Sequence, residues 1–174
     1  FLPGDIAVQK IFPVQPEAHA RFDALSRTYQ YFVVQQKDPF SEYTAFYQNR
    51  PLDFVLMNRA AAFLLEFEDF KAFSKSRTDV KTYLCNITHA LWQEEGAYWV
   101  FTITADRFLR NMVRAIVGTL LEVGKGNLLP QDVKTIIKSR DRSRAGASVP
   151  AKGLYLTGII YPEHIHLSDG KRKR

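Results

Sequence analysis

The chain has 174 residues, 46% of them hydrophobic and 24% charged, the composition of one folded domain and not of a disordered polymer. No uninterrupted apolar run, Ala60 to Leu65 included, approaches the roughly 20 residues of a membrane-spanning helix. The single cysteine, Cys85, excludes an internal disulfide and any multi-cysteine zinc site, so a reducing, cytoplasmic setting is expected. The net charge of +6 sits largely in Lys171-Arg172-Lys173-Arg174; without them 20 Lys and Arg face 18 Asp and Glu, a net of +2. Residues 1–90 are balanced at ten basic and ten acidic side chains, whereas 91–174 hold fourteen against eight, so the second half carries the excess.

The opening Phe1-Leu2-Pro3-Gly4, without methionine, reads as the interior of a longer chain. Alternation of apolar residues predicts a strand over 5–14, stopped by Pro13 and Pro16, and a second over 26–34. In the second, period-two geometry puts Arg27, Tyr29, Tyr31 and Val33 on one face. Residues 37–50 read as a polar, aromatic-rich loop. Asp53 then opens a helix whose Phe54, Met57, Ala61, Leu64 and Leu65 recur at helical spacing. A loop over 74–81 precedes a hairpin of 84–93 with 98–105. A long helix is predicted over 108–123, a short one over 130–138, and a last strand over 153–161. Strands and helices come in clusters without strict alternation. This points to one α+β domain over 1–162 with a mostly antiparallel sheet and helices on one face, then a basic tail, 163–174, expected to be disordered.

Arg114 interrupts the apolar run Met112-Val113-Arg114-Ala115-Ile116-Val117, where an unpaired guanidinium is costly. Either its stem carries it to solvent or a carboxylate meets it. Arg107, Arg110 and Arg114 fall at i, i+3 and i+7, one stripe of a helix, as a surface tracking phosphates or a plain solvated face would. Tyr29 and Tyr31 beside Arg27 are either a base-stacking platform or ordinary core tyrosines. His164 and His166 have no third ligand nearby, so no metal site is expected, and Cys85 reads as a small core residue. No phosphate-cradling glycine loop, nucleophile elbow or zinc-protease motif is present. On residues alone, a stand-alone RNA-binding module and a structural or dimerisation domain both remain open.

Four blocks together resemble one family. They are Leu2-Pro3-Gly4-Asp5-Ile6-Ala7-Val8; His19-Ala20-Arg21-Phe22-Asp23-Ala24 leading into Arg27-Thr28-Tyr29-Gln30-Tyr31; Ala105-Asp106-Arg107-Phe108-Leu109-Arg110-Asn111-Met112-Val113-Arg114; and Pro150-Ala151-Lys152-Gly153-Leu154-Tyr155-Leu156. In that order they are similar to the C-terminal part of the tRNA pseudouridine synthase A (TruA) family. The resemblance implies a ferredoxin-like half of a pseudouridine synthase fold. It further implies isomerisation of uridine to pseudouridine in the anticodon arm of tRNA, no metal or cofactor, a homodimer, and a cytoplasmic protein. Tyr29 falls on the family's active-site tyrosine, which packs against the target uracil and is assigned removal of the C5 proton. Arg114 falls on the arginine that pairs with the catalytic aspartate. Arg27, Arg107 and Arg110 are then expected to contact RNA. The family's nucleophilic aspartate motif is absent from the sequence and would precede Phe1, so this chain alone is expected to be inactive. Asp106 stands where asparagine is common, and Ser148-Val149 where Thr-Ala is frequent; neither is a residue given a role.

Overall fold

A computed structural model describes residues 1–75 and 80–167. Its centre is strand β1 (Ser26–Val34), rich in the aromatic and β-branched residues that suit a pleated surface. On one side β1 pairs antiparallel with β4 (Tyr98–Ala105) from Arg27 to Val33. On the other it pairs antiparallel with β5 (Leu154–Ile160) from Ser26 to Tyr31, and then in parallel with the short β2 (Phe46–Tyr47) at Val33 and Val34. Strand β3 (Ile87–Glu95) forms a hairpin with β4 and closes the far side of the five-stranded sheet.

Three helices cover one face. Asp53 caps α1 (Phe54–Ala62), its carboxylate accepting from the Leu56 amide at 2.9 Å, and Phe54, Met57, Ala60 and Ala61 turn inward. In α2 (Met112–Gly124), eleven of the thirteen residues are buried, all but Arg114 and Glu122. A helix apolar on every side belongs in the interior, and α2 is the spine of the core. Helix α3 (Asp132–Ser139) buries Val133, Ile136 and Ile137. These side chains meet Tyr31, Val33, Trp92, Phe101 and Ile103 from the sheet in one cluster. Each large side chain so buried contributes roughly 1.5–3 kcal/mol of transfer free energy. The opposite sheet face is mixed: Thr28 and Thr104 hydroxyls lie 2.9 Å apart and Gln30 Nε2 donates to Thr102 at 3.4 Å, while Phe32 meets Tyr98 and Tyr155 edge-on.

The α+β class, the mostly antiparallel sheet and the one-sided helices agree with the sequence, and the arrangement is compatible with a ferredoxin-like half. Three elements differ. The short β2 falls inside the stretch 37–50 that reads as a loop, because a two-residue parallel pairing leaves no alternation to detect. The strand predicted over 5–14 does not form: the segment is exposed throughout and reaches only an isolated bridge between Val14 and His166. Alternation alone gave it no partner edge and no face to bury. The helix predicted from Phe108 begins at Met112, because Asn111 takes a left-handed backbone, φ 68°, and breaks the helical path. Phe108 and Leu109 continue the apolar pattern from a loop that packs into the core. At the far end, Glu163–Ile165 form a turn, and the Leu167 amide donates to the Pro13 carbonyl. The rest of the predicted basic tail, 168–174, lies outside the described residues, as do 76–79 of the predicted 74–81 loop. Among the described residues no helix is long and apolar enough to cross a membrane.

Candidate functional site

Arg114 sits on the first turn of α2, half-buried, where that helix runs beside the segment 145–150. Its Nε donates to the Val149 carbonyl at 2.6 Å, and the Val149 amide donates to the Arg114 carbonyl at 3.2 Å. The pair of bonds fixes the stem of the arginine while its charge stays at the surface of the core. Close contact of this segment with α2 needs two glycines. A methyl on Gly118 would overlap the Ala147 carbonyl, and one on Gly146 would come within 2.8 Å of the Gly118 carbonyl carbon. The Gly146 amide also donates to Thr119 Oγ1 at 2.8 Å.

The guanidinium opens on a cleft of about 850 Å³ lined, among the described residues, by Lys75, Arg110, Arg114 and Arg142 together with Asn111 and Leu154, and by no carboxylate. Among the described residues no Asp or Glu pairs with Arg114. The floor is cross-braced by Ser148, whose Oγ accepts from Asn111 Nδ2 at 2.5 Å and from an Arg142 Nη at 3.0 Å. Arg142 also donates to the carbonyls of Ala145 and Gly146. Among the described residues the lining thus holds four cations and no acid, a distribution of charge that favours anions.

The other sequence-derived candidates are distributed around this cleft. Tyr31 is fully buried, its hydroxyl donating to the Pro150 carbonyl at 2.8 Å, so it is a core tyrosine and the two-tyrosine stacking platform does not form. Burial pushes its phenol well above the ordinary value, with the Arg114 charge pulling the other way. Tyr29, one step along the same face, is half-buried and stands edge-on to Phe108, ring centroids 5.2 Å apart. Arg27 shares the face but its Nη atoms donate to the carbonyls of Ala24 and Asp106, at 2.8 and 2.6 Å, and of Arg21. Arg107 and Arg110 lie in the loop ahead of α2, so the three arginines do not form one helical stripe; Arg110 joins Arg114 at the cleft and Arg107 does not.

Asp106, in place of the common asparagine, accepts from the Asn86 and Arg107 amides, both at 2.7 Å, and so ties the end of β4 to the strand before it. Cys85 is buried and its thiol is pushed up to about 11, chiefly by burial, which leaves it unreactive. No group of three or more His, Cys, Asp or Glu among the described residues could hold a metal ion. Lys75, Asn111, Arg142 and Ser148 were not singled out from the sequence as site residues. Their polar loops give no periodicity to show which side chains turn inward.

A family model described as tRNA pseudouridine synthase matches residues 60–162. The tRNA pseudouridine synthase A of Parabacteroides distasonis is 57% identical over 164 residues, 94% of this chain and 65% of the relative. That of Porphyromonas gingivalis is 55% identical over 168 residues, 95% of this chain and 67% of the relative, and that of Bacteroides fragilis is 53% identical over 165 residues, 94% and 66%. The chain thus spans about two thirds of the length of the curated relatives it matches. With an arginine-lined cleft on the motif from Phe108 to Arg114, a family match over more than half its length and identities above 50% across nearly all of it, this chain belongs to the tRNA pseudouridine synthase family.

Proposed function

We propose that this chain supplies one wall of the active site of a cytoplasmic, homodimeric tRNA pseudouridine synthase that isomerises uridine in the anticodon arm. The observation that carries the reading is Arg114: a guanidinium on a buried helix, anchored through Nε alone, facing an acid-free cleft. Such a charge is matched to a carboxylate brought from outside the chain. The family's nucleophilic aspartate, from the third of the relatives that this chain does not span, is that carboxylate. Paired with Arg114 it stays ionised and aimed.

The reaction conserves atoms. The bond between uracil N1 and ribose C1′ breaks, a bond from C5 to C1′ forms, the C5 proton leaves and N1 gains one. Arg114 is the positioning residue for the nucleophile. Tyr29 packs against the uracil, with Phe108 holding its ring, and takes part in removal of the C5 proton. A base in a stem-loop must leave its stack to reach this depth, and Arg27, Arg107 and Arg110 hold phosphates around the extruded nucleotide. Arg27 does so through its charge, two of its N–H groups remaining beyond the three bonds to backbone carbonyls.

The test is tritium release from tRNA labelled at uridine C5, with this chain mixed with the N-terminal third of the Parabacteroides distasonis relative and each part alone as control. Release from the mixture only is expected. Arg114→Ala in the mixture should lower turnover about a hundredfold or more while tRNA affinity changes little, since a misplaced reacting group costs on that order. No release from parts that demonstrably associate and bind tRNA would overturn the proposal.

A further inference from the structure

The cleft at Arg114 has a neighbour. A second cavity of about 710 Å³ shares Lys75 and Arg142 with it and adds Lys71, Arg140 and Asp141. Among the described residues six cations therefore border the two hollows against one carboxylate. That carboxylate is engaged: Asp141 Oδ1 accepts from the Ser143 amide at 2.9 Å and from its hydroxyl at 2.8 Å. Arg140 Nε lies 3.2 Å from Asp69 Oδ2, yet its side chain is 56% exposed. Lys71 Nζ lies 5.5 Å from the centroid of the Tyr83 ring at the same cavity.

Backbone geometry singles out the same two hollows. Among the described residues only two non-glycine residues have positive φ, Asn111 at 68° and Arg140 at 55°. One lines the first cavity and the other the second. Asparagine tolerates this conformation; arginine does so poorly. Arg140 stands just past α3 at the helix-ending position where glycine is the usual residue. Strained residues of this kind collect at functional sites, and here the strain keeps a guanidinium where glycine would give a more relaxed chain.

We propose that the second cavity is a phosphate-binding extension of the Arg114 cleft, taking the RNA backbone next to the nucleotide seated there. The proposal rests on the RNA-modifying reading above and adds the path of the strand: from Arg110, across Arg142, to Lys71 and Arg140. A continuous row of cations suits a polyanion, whose binding releases counterions and weakens with salt in proportion to the phosphates neutralised.

The experiment measures anisotropy of a fluorescein-labelled RNA stem-loop with the 174-residue chain across a range of salt concentrations, for the parent, Arg140→Gly, Lys71→Gln and Arg110→Gln. Thermal unfolding is followed in parallel. Arg140→Gly and Lys71→Gln are each expected to weaken binding and to make the slope of log affinity against log salt shallower by about 1. Arg140→Gly should do so with a Tm no lower than the parent's, the opposite of a structural loss. Unchanged affinity and slope in both, with Arg110→Gln weakened, would overturn the extension and leave the cleft reading standing. No RNA binding by the parent would overturn both. Inorganic phosphate at constant ionic strength should displace the RNA poorly. Full displacement of RNA from the parent at low millimolar phosphate would mark an isolated anion site and overturn the strand path.

Discussion

Arg114 and Glu122 are the two side chains of α2 that escape burial, and they use their charges differently. Glu122 is satisfied within the chain: one oxygen accepts from Lys125 Nζ at 2.8 Å and the other from Asn127 Nδ2 at 2.7 Å. These bonds, the one from Lys125 first, hold its carboxyl below the ordinary 4.5. A group whose folded-state pKa is depressed stabilises the fold above its unfolded pKa, and the benefit disappears as pH falls through the folded value. Glu122→Gln should therefore lower the unfolding free energy measured with urea at pH 7, by less than about 1 kcal/mol because solvent screens the group. Parent and variant should converge as pH falls through the folded-state value. An equal gap at neutral and at acidic pH would show that the contribution is packing and not charge. Among the described residues Arg114 has no such carboxylate partner, which is why its role points outward.

At the scale of elements, β3 is an outer strand whose free backbone is covered by a side chain. Asn58 on α1 accepts from the Trp92 amide at 2.7 Å and donates to the Trp92 carbonyl at 3.0 Å, standing in for the next strand. Asn58→Leu leaves both groups unpaired beside a buried residue, so a loss of about 1–3 kcal/mol is expected, with fast hydrogen exchange at the Trp92 amide. Retained stability and protection would contradict this role. None of this pairing is legible in the sequence, because one polar residue on a helix does not announce which backbone it meets. What was legible is periodic burial. Helices α1 and α3, the hairpin, β1 and β5 all fell within a few residues of expectation. The strand over 5–14 failed because an exposed extended segment can alternate without pairing. The start of α2 was missed because the pattern of Phe108 and Leu109 runs on across the left-handed turn at Asn111.

For the whole molecule, the same logic separates what could be read of the site. Arg114 stood out because a charge in an apolar helix is a local contradiction. Tyr29 and Tyr31 could be placed on one face, but only the tertiary arrangement decides that the core covers Tyr31 and leaves Tyr29 at its margin. Lys75 and Arg142 gave no signal, since a cation in a polar loop is the default. The same arrangement leaves β5 paired on one side only, with Leu156 and Ile160 47% and 61% exposed. An open strand edge with apolar neighbours invites association. The isolated chain should self-associate with concentration in sedimentation velocity, and Ile160→Lys should shift it toward monomer; a parent that is monomeric throughout would contradict this. The stacking of Trp99 on Phe54, centroids 3.5 Å and planes 6° apart, has a further consequence. Trp92 meets the same ring edge-on, these are the chain's only two tryptophans, and neither lines either of the two cavities described above. Intrinsic emission thus watches the centre of the fold and is blind to the ligand surface. A change in emission on adding RNA would report motion passed through α1, not contact.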